Sequence, residues 1–156
     1  MAIAELEPKA GRSIQERTLQ RLTGKRPATV KSALDIHALI EKGLPSEGVI
    51  DFVETIELLH DKKVVARVFG ISERTLYRRR SKPGPLSTEQ SGRTWRFAEI
   101  LTRAEDVFGD SGTAQRWMNT PAMALEGHKP IDLITTQVGH DLVDDLLTRL
   151  DYGVYT

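Results

Sequence analysis

The densest chemistry in the chain is cationic. Residues 62–82 carry eight lysines and arginines against a single carboxylate, Glu73, a net of +7 in a protein whose 22 basic and 22 acidic residues cancel over the whole chain. Charge concentrated in this way implies a local surface for a polyanion, whereas an even sprinkling would imply only solubility. The same stretch, Lys62-Lys-Val-Val-Ala66-Arg-Val-Phe-Gly70-Ile-Ser72-Glu-Arg-Thr-Leu76-Tyr-Arg-Arg-Arg80, has the spacing of a helix-turn-helix. Ala66 is small where two helices must approach, Gly70 permits the turn, and Val65, Phe69, Ile71 and Leu76 can fill the wedge. Ser72 is suited to start the second helix. Its side chain and those of Glu73, Arg74, Tyr77 and Arg78 are then expected to enter a major groove, where arginine grips guanine with two bonds. Arg79, Arg80 and Lys82 are placed to clamp phosphate instead. Arg79 stands where many helix-turn-helix units have an apolar residue, so the end of this helix is expected to be short or differently packed. The competing reading is a plain helix corner in a bundle; the near absence of carboxylates argues against a merely solvated face.

Other constellations carry less. Gly109-Asp110-Ser111-Gly112 spells a string found around serine nucleophiles, but that chemistry needs a base, an orienting acid and backbone donors on a rigid scaffold. A helix stop at Gly109 with an N-cap at Asp110 or Ser111 accounts for the string. His37, His60, His128 and His140 form no close pair or H-E-x-x-H spacing, and the chain has no cysteine. No catalytic residue, metal site or cofactor is therefore expected.

The elements that position the basic segment are expected to be helical. A chain of 156 residues with 39% hydrophobic and 6% aromatic residues can bury a real core but is lean in the residues that favour strands. No apolar run reaches the roughly 18 residues of a membrane span, and Met1-Ala2-Ile3-Ala4-Glu5 does not open an export signal, so a cytoplasmic protein without membrane contact is expected. Residues 1–31 have scattered apolar anchors and read as a flexible basic arm carrying Arg12, Arg17, Arg21, Lys25 and Arg26. Helices follow from about Lys31 to Gly43, from Ser46 as N-cap through Val49, Phe52, Val53, Ile56 and Leu59, from about Lys62 to Phe69, and over residues 72–80. Pro83-Gly84-Pro85 forbids continuation and marks the expected boundary between a DNA-binding and dimerisation domain, residues 32–85, and a second domain, residues 86–156. There, helices are expected over about 87–108, 112–119, 130–135 and 137–150, the last with Leu142, Val143, Leu146, Leu147 and Leu150 inward. Residues 32–61 carry seven acidic and one basic side chain and residues 83–156 eleven and six, so the remainder of the surface suits a partner other than DNA.

From Arg96 onward, the order Arg-Phe-Ala-Glu-Ile-Leu-Thr-Arg-Ala-Glu-Asp-Val-Phe-Gly109, then Ala114-Gln-Arg-Trp117-Met-Asn119-Thr-Pro121, Ala124-Leu-Glu-Gly127-His-Lys-Pro130-Ile-Asp132, Gly139 and Leu150-Asp-Tyr152-Gly153-Val154-Tyr155-Thr156 resembles the toxin-binding domain of the Xre/MbcA/ParS antitoxin family. The likeness runs over about 60 residues, and the preceding helix-turn-helix matches that family's arrangement. The resemblance implies an all-α protein with an Xre-like helix-turn-helix bundle followed by a small helical toxin-binding domain. It implies an antitoxin that neutralises a cognate RES-domain toxin acting on NAD and represses its own operon by binding operator DNA. It also implies that the tail, residues 151–156, enters the toxin's NAD pocket through Tyr152, Gly153, Val154, Tyr155 and Thr156. Two tyrosines and a terminal carboxylate at the end of an aromatic-poor chain are compatible with that role. One short recognition helix reads few base pairs, so a homodimer on a palindromic operator is expected. A stand-alone repressor whose C-terminal half dimerises or senses a ligand is the alternative.

Overall fold

In the computed structural model, residues 13–24 and 32–153 are described. Arg12, Lys25, Arg26, Val154, Tyr155 and Thr156 lie outside them. Among the described residues every regular element is helical: α1 (Ile14–Thr23), α2 (Ala33–Lys42), α3 (Ser46–Thr55), α4 (Lys62–Phe69), α5 (Glu73–Arg78), α6 (Thr88–Phe108), α7 (Ser111–Met118), α8 (Pro130–Leu133) and α9 (Gln137–Asp151). Short 3-10 turns cover Glu57–His60 and Met123–Leu125.

The longest helix organises the rest. α6 opens on a capping box in which the Ser87 hydroxyl accepts from the Gln90 amide at 3.0 Å and the Gln90 side chain accepts from the Ser87 amide at 3.0 Å. It runs 21 residues, about 30 Å, to Gly109. Phe97, Ala98, Ile100, Leu101 and Ala104 are fully buried. Phe97 meets Phe52 of α3 and Phe69 of α4 edge-on, with ring centroids 6.1 and 5.6 Å apart. α1, α2, α4, α7 and α9 all pack on this helix, so the two expected domains share one apolar core.

The expectation of an N-terminal arm changes here. Residues 14–23 are a helix, not part of a flexible arm: the Ser13 hydroxyl caps it by accepting from the Glu16 amide, and Thr18, Leu19 and Leu22 are buried. Arg17 forms a two-bond fork with Asp106 at 2.7 Å, and Arg21 a second with Glu105. Two buried leucines are a faint local signal, and both arginine partners stand more than 80 residues away in sequence. The Pro83-Gly84-Pro85 stretch is likewise strapped to the α2–α3 corner. Leu86 donates to the Leu44 carbonyl at 2.9 Å, Ser46 to the Gly84 carbonyl at 3.1 Å, and Gly84 to the Ser46 hydroxyl at 3.2 Å. That last bond also replaces the N-cap role expected of Ser46.

Gly48 is where α1 meets α3. A Cβ built there would stand 2.0 Å from the Leu22 carbonyl oxygen, a backbone atom that cannot swing away. Gly48→Ala is expected to destabilise the protein by about 1–3 kcal/mol, read as a lowered chemical-denaturation midpoint.

His140 of α9 is buried with Nε2 3.2 Å from Glu99 and Nδ1 3.5 Å from Asp141, close enough for ion pairing but out of line for directed hydrogen bonds. Burial pushes its pKa down; Glu99, Asp141 and Asp144 outweigh burial and hold it above the ordinary 6.5. The protonated ring therefore adds stability that is complete below pH 6.5 and disappears as pH rises through the elevated folded value. Thermal midpoints taken between about pH 5.5 and 8.5 should show this loss in the parent chain and a flatter profile in His140→Gln.

Candidate functional site

The first helix of the basic unit, α4, starts where the Asp61 carboxylate accepts from the Lys63 amide at 2.9 Å. It turns Val64, Val65, Val68 and Phe69 inward. Ala66, expected at the helix–helix contact, is exposed instead; the valines on either side fill the wedge. Gly70 then takes the left-handed conformation at φ 73°, and a Cβ on it would come within 2.7 Å of Arg93 Nη1. Arg93, on α6, donates from Nη2 to the Arg67 carbonyl at 2.7 Å, so the central helix grips the turn from behind. A second tie joins the two halves, Arg67 to Asp132 of α8 at 2.9 Å.

Ser72 caps α5. Its hydroxyl accepts from the Thr75 amide at 3.1 Å and donates to the Thr75 hydroxyl at 2.7 Å, so it positions the helix more than it offers a free reading group. Leu76 is fully buried and pins the helix, while Tyr77 is half-buried. Burial, with Glu54 and Glu73 nearby, pushes the Tyr77 phenol above its ordinary pKa. The helix ends at Arg78, as the unusual Arg79 suggested.

The cations divide into two groups. The side chains of Arg74, Arg78 and Lys82 are exposed and make no hydrogen bond or ion pair among the described residues. Arg79 donates to the Pro85 carbonyl at 2.9 Å, and Arg80 lies 2.6 Å from Glu54 with its guanidinium over the Tyr77 ring at 5.1 Å. Glu54 sits on α3, where sequence periodicity places it only on the wet side; its position beside the basic helix is set by the packing of α3 on α5. Arg93 and Asp132 likewise carry no local signal.

The second surface lies at the other end of α6. α6 stops at Gly109 and the Asp110 carboxylate caps α7, accepting from the Thr113 amide at 2.7 Å. Those hydrogen bonds from Thr113 hold the Asp110 pKa below its usual value. The Ser111 hydroxyl accepts from the Gln115 side chain, so the serine string is a helix junction. Trp117 is half-buried and packs on Phe108 at 5.3 Å. α9 buries Gly139, His140, Val143, Leu146 and Leu147. Leu142, expected inward, is 52% exposed because that face runs through 139, 143, 146 and 147 and leaves 142 outside. It sits one turn from the exposed Val138; Met123 and Tyr152 are exposed on the same half. At the end of α9, Tyr152 is 79% exposed and Gly153 turns left-handed at φ 73°. The remaining tail positions expected to bind toxin, Val154, Tyr155 and Thr156, lie outside the described residues.

Among the described residues no cluster of His, Asp or Glu could hold a metal ion, and no helix is long and apolar enough to cross a membrane.

These two surfaces coincide with two family profiles. The antitoxin Xre-like helix-turn-helix domain matches residues 35–99, and the antitoxin Xre/MbcA/ParS C-terminal toxin-binding domain matches residues 103–153. An antitoxin Xre from Yersinia enterocolitica is 37% identical over 110 residues, 69% of this chain and 74% of its own length. One from Pseudomonas putida is 33% identical over 122 residues, 78% of this chain and 74% of its own length. A protein from Sphingobium sp. described as a Prs ADP-ribosylating antitoxin is 27% identical over 133 residues, 80% of this chain and 82% of its own length. The all-α chain is thus a helix-turn-helix joined to a toxin-binding domain. It belongs to the Xre antitoxin family.

Ser72→Ala removes the cap of a six-residue helix and is expected to cost about 1 kcal/mol, visible as an earlier denaturant midpoint.

Proposed function

We propose that this protein neutralises a RES-domain toxin encoded beside it and represses the operon that encodes both. The observation that carries the reading is the toxin-binding match over residues 103–153, which ends on the exposed Tyr152 and the left-handed Gly153. The tail, Tyr152 to Thr156, is the segment that plugs the toxin's NAD pocket, through the aromatic area of its two tyrosines. The antitoxin itself catalyses nothing; the NAD chemistry belongs to the toxin. The Sphingobium relative, whose name couples an antitoxin to ADP-ribosylation, supports a partner of that chemical class.

Repression rests on the basic helix. Arg74 and Arg78 face outward with no competing partner and are the groups available to base edges, while Lys82 is available to phosphate. A homodimer presents two such helices to a palindromic operator in the cytoplasm.

The test expresses the neighbouring reading frame with the full chain or with a chain ending at Leu150, following growth and cellular NAD. Only the full chain is expected to restore both. Equal rescue by the truncated chain removes the plug, and a harmless neighbour leaves a stand-alone repressor. In parallel, Arg78→Ala is expected to weaken operator binding about tenfold while neutralisation is untouched; equal loss of both activities would refute the division of labour.

A further inference from the structure

The basic helix carries a built-in competitor for one of its own cations. Of the five cations between Arg74 and Lys82, Arg80 is the one held by a carboxylate among the described residues, 2.6 Å from Glu54. Both side chains are about half exposed, 53% and 48%, and the guanidinium carbon lies over the half-buried Tyr77 ring, 5.1 Å from its centroid. Glu54 belongs to α3, outside the helix-turn-helix itself, so its place at the rim of the basic surface follows from the fold.

We infer that Glu54 is a specificity-determining residue: it occupies Arg80 in the free protein and so withholds one cation from the DNA backbone. The inference rests on the DNA-binding reading of α5. An exposed ion pair is worth no more than about 1 kcal/mol, so a phosphate can compete for the guanidinium. Each phosphate neutralised adds a sequence-independent increment of affinity through counterion release. Such increments strengthen binding to any duplex and dilute the share contributed by base contacts from Arg74 and Arg78. Keeping Arg80 on Glu54 suppresses that increment, and exchange to phosphate leaves an unpaired carboxylate facing the DNA. The cation–π contact with Tyr77 holds the Arg80 guanidinium near the rim of this surface, within reach of either anion.

The experiment measures binding of the full chain to a short mixed-sequence duplex and to the DNA upstream of its own reading frame, as a function of salt. It compares the parent chain with Glu54→Gln, Arg80→Ala and the double variant, each checked for an unchanged thermal midpoint. Glu54→Gln is expected to bind the mixed-sequence duplex roughly fivefold more tightly at low salt, to steepen the logarithmic salt slope by about 0.9, and to narrow the preference for the upstream DNA. In the Arg80→Ala background the same substitution should change nothing, because the effect runs through Arg80. An equal gain in that background overturns the inference in favour of general charge repulsion, and unchanged or weaker binding by Glu54→Gln overturns it outright. If the parent chain and every variant ignore both duplexes even at low salt, the DNA-binding reading itself falls, an outcome distinct from a failure of the Glu54 effect.

Discussion

The structure depends on the burial of one helix. α6 has apolar or small residues around much of its circumference, with Phe97, Ala98, Ile100, Leu101 and Ala104 fully covered, and a helix of that kind cannot stand alone in water. Its cover comes from both ends of the chain: α1 from before the helix-turn-helix, α4 from within it, and α7 and α9 from after it. The consequence is a single core with two working surfaces. The edge contacts of Phe97 with Phe52 and Phe69 hold the helix-turn-helix half, and the bonds from Arg103 to Asp144 and Thr148 hold the C-terminal half to the same rod.

That arrangement explains how a short element can be held in a fixed place. α5 is six residues long, below the length at which an isolated helix forms in water. It is set by Leu76 in the core, by the Ser72 cap, and by a turn whose backing is Arg93 of α6. A rigid scaffold that presents a short exposed element is the geometry that keeps side chains precise while leaving them accessible. The Arg67–Asp132 pair joins the two halves directly, so the position of the reading helix and that of α8 are mechanically related.

Several features were legible residue by residue. The Gly70 turn, the Ser72 cap, the stop at Gly109, and the elements Lys62–Phe69 and Thr88–Phe108 follow from local rules of capping and periodicity, and they fell where expected. The family likeness carried by the motifs after Arg96 agrees with the profile matches. Other features were not legible because their signal is not local. α1 has only Leu19 and Leu22 as fully buried apolar anchors, and its arginine forks close on Asp106 and Glu105 far along the chain. Leu142 fell on the wrong side because a dense leucine run fits more than one helical face, and packing chose the face through Gly139, Val143 and Leu147. Ala66 was assigned to a contact by its size, yet the flanking valines make that contact.

The sequence by itself determined the helical class, the order of the elements after the N-terminal segment and the basic helix, since these rest on periodicity, caps and charge within a few turns of chain, while the family was legible from the likeness of the motifs after Arg96. The tertiary structure decided which cations on that helix are free and which are held. That choice depends on Glu54 and Pro85 being brought beside Arg80 and Arg79 by packing, and ion pairs and hydrogen bonds act only over a few ångströms of real space.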